Sequence, residues 1–203
     1  MKKRFLRFRM MAKIVMIGLL LGVMGITKGY CIRFSAVCPS GISLYYNITD
    51  DVNHYVELTY PNHHEDEGYW EDYELWGNEA IVIPETVEYN GTTYTVTGIG
   101  DQSFAGCSNF DNFTLPNTIE SIGVSAFEPL NGMHITDFTL PANLKYIADN
   151  AFEMWVGLQR LTVLGKEPPA VGNNAIGMYW DPYMGPKPIL LVPGGCRDRK
   201  SVV

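Results

Sequence analysis

Ligand-type side chains crowd most densely in Asn62-His-His-Glu-Asp-Glu67, and His63, His64, Glu65 and Asp66 are of the types that hold a divalent cation. Adjacent residues do not converge on one ion without an unusual loop, and His54 and His134 are the only remote histidines that could complete a site. The run is therefore expected to be a solvated loop between strands, with no metal site and no cofactor. Hydrolysis by paired carboxylates needs two acids facing each other across a cleft, whereas the acids here are scattered over loop-like segments. No Gly-x-Ser-x-Gly elbow, His-Glu-x-x-His helix or phosphate-binding glycine loop is present. Gly98 and Gly100 flank Ile99 inside a repeated motif and read as a turn requirement. No catalytic residue is assigned, and the chain is expected not to be an enzyme.

A different chemistry begins at the same place. From Glu65 to Glu88 there are nine acidic residues and no Lys or Arg, interleaved with Tyr69, Trp70, Tyr73 and Trp76. Such aromatics stack on sugar faces, cover a hydrophobic edge or anchor a protein interface. The 203 residues carry a formal charge of −7, but seven of the 15 Lys and Arg fall within the first 29, which contain no Asp or Glu. The remaining 174 carry −14. A body of that sign favours a basic partner and excludes a nucleic-acid binder, which needs Lys and Arg to displace counterions from phosphates.

The basic opening runs into Ile14–Ile26, a 13-residue apolar stretch too short to span a bilayer as a helix. Residues 1–29 are expected to be an export signal, which places the protein outside the cell or on its surface. Membrane attachment is then expected only through an anchor missing from this chain or through lipidation at Cys31, which Tyr30 disfavours. Cys31, Cys38, Cys107 and Cys196 contain no Cys-x-x-Cys pair, so no obligatory disulfide is expected. Cys107 falls where Trp155 falls in another copy of the motif below, which marks a buried apolar position.

The elements that position these residues are set by self-similarity. Phe113-Thr-Leu-Pro116 recurs as Phe138-Thr-Leu-Pro141 and, more loosely, as Leu161-Thr-Val-Leu164; Ile81-Val-Ile-Pro84 and Leu190-Leu-Val-Pro193 share the form. A second signature interleaves with it: Ile99-Gly-Asp-Gln-Ser-Phe104, Ile122-Gly-Val-Ser-Ala-Phe127, Ile147-Ala-Asp-Asn-Ala-Phe152 and Val171-Gly-Asn-Asn-Ala-Ile176. The two keep register, as six residues separate Pro116 from Ile122 and Pro141 from Ile147. The fold class is a β-rich solenoid whose unit of 23–25 residues cannot bury its apolar side alone and stacks on its neighbours. Each apolar-x-apolar triplet is a short strand that Pro ends, Ile122 and Ile147 reach the core from the opposite wall, and Phe110, Ile135 and Leu158 add a third inward position. Val87–Val96 is predicted to be a β-hairpin about Asn90-Gly91. Further insertions are expected at Pro129–Gly132 and around Met178–Met184.

Ile-Gly-x-x-Ala-Phe, then Gly106-Cys107-x-x-Phe110, then x-x-Phe-x-Leu-Pro resembles the BspA-type leucine-rich repeats of bacterial surface proteins, over about residues 79 to 197. Residues 30–78, with Phe34–Ile48 pairing with Tyr55–Thr59, look like the N-terminal β cap that precedes such arrays. Such a cap would cover the apolar end of the solenoid. The resemblance stops at Cys196, where closing repeats continue into a further segment, so 198–203 is expected to be a non-native tail. The resemblance implies a bacterial, secreted or cell-surface protein linked to adhesion, matrix binding or partner binding, and no catalytic role.

On a solenoid, outward strand residues form columns. Thr114, Thr139 and Thr162 make one, and Asn112, Asp137 and Arg160 the other. These six are the expected contact face for an extracellular protein partner, basic or matrix-type. Threonine is also an ordinary exposed strand former, which accounts equally well for its column. The alternatives are a carbohydrate-binding module using Tyr69, Trp70, Tyr73 and Trp76, and a structural spacer within a longer surface protein.

Overall fold

The structure, a computed structural model, describes residues 32–60, 80–107, 112–129, 135–155, 157–177 and 189–194. Residues 1–29, expected to be an export signal, the acidic segment 61–79, the expected insertion Pro129–Gly132 beyond Pro129, that around Met178–Met184, and residues 198–203 lie outside these residues.

Thirteen strands and no helix are present among the described residues. The first three are β1 (Arg33–Val37), β2 (Ser43–Asp50) and β3 (Tyr55–Thr59), an antiparallel meander. Alternation sends Phe34, Leu44, Tyr46, Val56 and Leu58 inward. The predicted hairpin is β5 (Thr86–Tyr89) and β6 (Thr92–Ile99). Its turn residues Asn90 and Gly91 have φ of 50° and 79°, the two left-handed positions a type I′ turn demands.

The repeats supply two walls. One is built from β8 (Ser121–Ile122), β10 (Tyr146–Ile147) and β12 (Ala170–Val171), which pair in parallel with one another and onto β6. Because β3 also pairs with β6 in parallel, a single eight-stranded sheet runs β1-β2-β3-β6-β8-β10-β12, with β5 on the free half of β6. The meander and the repeats therefore share one sheet. The opposite wall consists of β4 (Ala80–Val82) paired with β7 (Asn112–Thr114), and of β9 (Asp137–Leu140), β11 (Arg160–Val163) and β13 (Ile189–Leu191).

Between the walls lies one continuous core. Ile99, Ile122 and Ile147 enter from one side and Ile81, Phe113, Phe138 and Leu161 from the other, all buried. At the corner Phe104, Phe127 and Phe152 stack face to face at successive centroid spacings of 5.3 Å and 5.3 Å, with planes within 9° and 5°. Cys107 and Trp155 are both buried, as their interchange predicts, and Trp155 donates its indole N–H to the Phe127 carbonyl at 2.9 Å. Ile135 and Leu158 are buried; Phe110 lies outside the described residues. Leu190 departs from the expected inward role. It is 36% exposed where its register partner Leu161 is 3%, since among the described residues nothing stacks on β13.

The copies are locked by a repeated backbone device. Gly123 N, Ala148 N and Gly172 N each donate to the carbonyl of the preceding copy's Ile99, Ile122 or Ile147 at 2.8 Å. Gln102, Ser125, Asn150 and Asn174, equivalent in the four copies, all have left-handed φ between 49° and 57°, a conformation Asn tolerates better than most residues. Asp101 Oδ1 accepts from Val124 N and Asp149 Oδ1 from Asn173 N, both at 2.7 Å. Wherever this Asp reaches across, the next copy carries glycine: a Cβ on Gly123 would sit 2.6 Å from Asp101 N, and one on Gly172 2.7 Å from Asp149 N. Where Val124 replaces the Asp, the next copy has Ala148.

Candidate functional site

The predicted contact residues lie on the second wall. Asn112 and Thr114 flank inward Phe113 on β7, Asp137 and Thr139 flank inward Phe138 on β9, and Arg160 and Thr162 flank inward Leu161 on β11. Five of the six are exposed and Thr162 is half-buried. Parallel pairing sets Arg160 opposite Asp137 and Thr162 opposite Thr139. Arg160 Nη1 meets Asp137 Oδ1 at 2.6 Å, an exposed ion pair that neutralises part of the second column. Thr114 and Asn112 belong to the separate β4–β7 pair, so the hydrogen-bonded columns break between β7 and β9. The alternative aromatic surface, Tyr69, Trp70, Tyr73 and Trp76, and the cluster His63–Asp66 lie outside the described residues.

A polar groove of about 500 Å³ opens on the outer face of the other wall. Pairing aligns one residue per strand there: Arg33, Asn47, Glu57, Gly98, Ser121 and Tyr146, on β1, β2, β3, β6, β8 and β10. Arg33 Nε donates to Asn47 Oδ1 at 3.1 Å, Arg33 Nη2 to Thr59 Oγ1 at 3.4 Å, and its guanidinium lies 4.8 Å from the Tyr60 ring centre. Asn47 Nδ2 donates to Glu57 Oε1 at 3.5 Å. Burial pushes the Glu57 carboxyl above its ordinary value; the Asn47 hydrogen bond opposes that rise and the Asp101 charge adds to it.

Sequence reasoning missed this groove. Gly98 lies within β6 and is not a turn residue; Gly100 opens the turn closed by Ser103 N on its carbonyl at 3.3 Å, but neither glycine has a positive φ that would demand glycine for the turn itself. They are small because Glu57 lies over them. An added Cβ at Gly98 would come 3.3 Å from Glu57 Cβ and 3.1 Å from Ser121 Oγ; at Gly100 it would come 2.6 Å from the Leu58 carbonyl and 3.3 Å from Glu57 Oε1. The paired glycines were the available signal.

Among the described residues no group of three or more His, Cys, Asp and Glu is arranged to hold a metal ion. Cys38 and Cys107 are free buried thiols, and burial pushes Cys107 up to about 12.

Residues 79–170 match the family model of the BspA type leucine rich repeat region, in 6 copies. Among curated proteins none matches the chain. The fold is similar to that of a leucine-rich repeat protein from Bacteroides capillosus, at 23% identity and a TM-score of 0.54, covering 79% of this chain and 99% of that one. A leucine-rich repeat protein from Bacteroides ovatus is similar at 22% identity and a TM-score of 0.50, covering 73% of this chain and 36% of that one, so the present chain spans about a third of its length. The interleaved motifs, the two-walled stack and the family model agree over the repeats: residues 79–170 of this chain are a BspA-type leucine-rich repeat region.

Proposed function

We propose that the protein is an exported bacterial surface module that binds a protein partner through the outward columns of its repeat strands, rather than an enzyme. The observation that carries this reading is the exposure of Asn112, Thr114, Asp137, Thr139 and Arg160 on strands whose alternate residues are fully committed to the core. A solenoid built this way spends its large apolar residues on stacking and leaves an extended face for recognition. The basic n-region and 13-residue apolar run support export, and a body charge of −14 favours a basic or matrix-type partner.

The test is a binding array carrying matrix proteins and bacterial surface proteins beside a glycan panel, probed with the protein at low and high salt. Protein hits that weaken with salt are expected. Glycan hits alone, abolished by Trp70→Ala or Trp76→Ala, would overturn the reading in favour of a carbohydrate-binding module.

A further inference from the structure

The groove on the eight-stranded wall has two unlike sides. On one, Arg33, Asn47 and Glu57 stand in a single cross-strand row on β1, β2 and β3. Each is half-buried and oriented by its neighbour: Arg33 Nε donates to Asn47 Oδ1 at 3.1 Å, Asn47 Nδ2 donates to Glu57 Oε1 at 3.5 Å, and the guanidinium rests against the Tyr60 ring. The row therefore presents a donor, a group that both donates and accepts, and an acceptor, all planar and held in place before any ligand arrives. On the other side the same row continues to Tyr146 on β10, whose register neighbours Ser121 and Ala170 are small, so the ring is 45% exposed. Glu57 and Tyr146 are three strand steps apart, about 14 Å at ordinary spacing, and Gly98 and Ser121 form the low floor between them. The open volume, about 500 Å³, falls within the range of about 300–1,000 Å³ usual for small-molecule sites.

These parts select among ligands. Arg33 and Glu57 carry opposite charges in one row, Lys145 is paired with Glu120 at 2.7 Å, and Asp101 on the rim is held in the lock between copies, accepting from Val124 N. Neither a cation nor an anion therefore meets a field of one sign. A polypeptide that docks by strand addition needs a sheet edge, whereas β6, β8 and β10 beneath the groove are hydrogen-bonded on both sides. A sugar ring matches both sides at once, with a C–H face that packs on an aromatic ring and a rim of hydroxyl groups that each donate and accept. Seated on the Gly98 and Ser121 floor, it turns that face to Tyr146 and its hydroxyls to Arg33, Asn47 and Glu57. The body charge of −14 disfavours acidic sugars.

We propose that this groove is a second recognition site, on the wall opposite the repeat columns, for a neutral hexose unit of a glycan. Stacking on Tyr146 supplies the apolar contact, the ordered row Arg33, Asn47 and Glu57 reads the hydroxyl pattern, and the glycine floor lets the ring sit low between them. The site shares no residue with the repeat columns and stands apart from the protein-binding reading.

The test titrates uniformly ¹⁵N-labelled protein with D-glucose, D-galactose, D-mannose and N-acetylglucosamine, with D-glucuronate, and with glycerol as a source of hydroxyls that lacks a ring face. At least one neutral sugar is expected to shift the amides of Gly98, Gly100, Ser121 and Tyr146, with glucuronate weaker and glycerol without effect. Tyr146→Ala is expected to bind that sugar about tenfold more weakly, and Ser121→Phe, which fills the floor, to lose the shifts. Both residues are exposed, so each variant is expected to keep the parent's unfolding midpoint. Silence with all four neutral sugars, shifts confined to other residues, glycerol acting as well as the sugars, or undiminished binding by both variants would overturn the proposal. So would a sugar response that Trp70→Ala or Trp76→Ala abolishes and Tyr146→Ala does not. Lysine substitution of Thr114, Thr139 and Thr162 is expected to leave these titrations unchanged, so failure of the repeat-column reading and failure of the groove are read separately.

Discussion

Replacing Phe127 by Ala removes the keystone of the corner stack. Phe127 is completely buried, lies face to face with Phe104 and Phe152, and meets Phe113, Phe138 and Trp155 edge-on at 5.1, 6.3 and 6.1 Å. A buried Phe→Ala change costs about 3–5 kcal/mol, from lost transfer energy plus the cavity it leaves. The upper part of that range applies, because five rings lose a partner and the flanking copies cannot collapse while the backbone ladders on both sides hold them in register. Against a total stability of about 5–15 kcal/mol this is a large fraction. With a urea m-value of about 2 kcal/mol/M, the midpoint followed by circular dichroism should fall by about 2 M. Phe127→Leu fills most of the space and loses only the ring geometry, so a cost of about 1–2 kcal/mol is expected. A loss below about 1 kcal/mol for the alanine variant would refute the stacked corner as the element that joins the copies.

Other outcomes follow from single features. Gly123→Ala sets a methyl against Asp101 and its backbone, and equilibrium unfolding should show a loss of about 1–3 kcal/mol, the usual cost of overpacking. With its thiol pushed up to about 12 from 9.0, Cys107 at pH 8 should react with iodoacetamide about a thousandfold more slowly in the folded protein than in urea. The same shift makes the stability contributed by Cys107 complete below the unfolded thiol pKa of 9.0 and lost as pH rises from there toward 12. Glu57 has the same sign at lower pH: its raised folded value makes its contribution greatest in acid and lost as pH rises through that value. Glu57→Gln should therefore flatten that part of the pH–stability profile, with Arg33, Asn47 and Asp101 left in place.

The repeats were legible because stacking imposes a spacing. Phe113 and Phe138, Ile122 and Ile147, and Phe127 and Phe152 each recur at the distance that returns the chain to the same wall, and each is buried. The hairpin was legible because Asn90-Gly91 satisfies a local backbone demand that few dipeptides meet. The groove was not. Its residues come from six strands, and their alignment depends on β3 joining β6 in parallel with a register shift between Val56 and Glu57, which no local pattern encodes. Gly98 and Gly100 carried the information, but a glycine demanded by a neighbour's close approach looks the same in sequence as one demanded by a turn. Leu190 shows the converse limit: the motif assigns it inward, and its exposure depends on whether a further layer stacks there.

The most direct measurement is capture of the array's strongest protein hit by the parent protein and by a variant carrying Thr114→Lys, Thr139→Lys and Thr162→Lys. Three added positive charges along one wall oppose a basic partner while touching no core residue, so capture should be lost with the unfolding midpoint unchanged. Undiminished capture by a fully folded variant would contradict the claim that the repeat columns are the binding face.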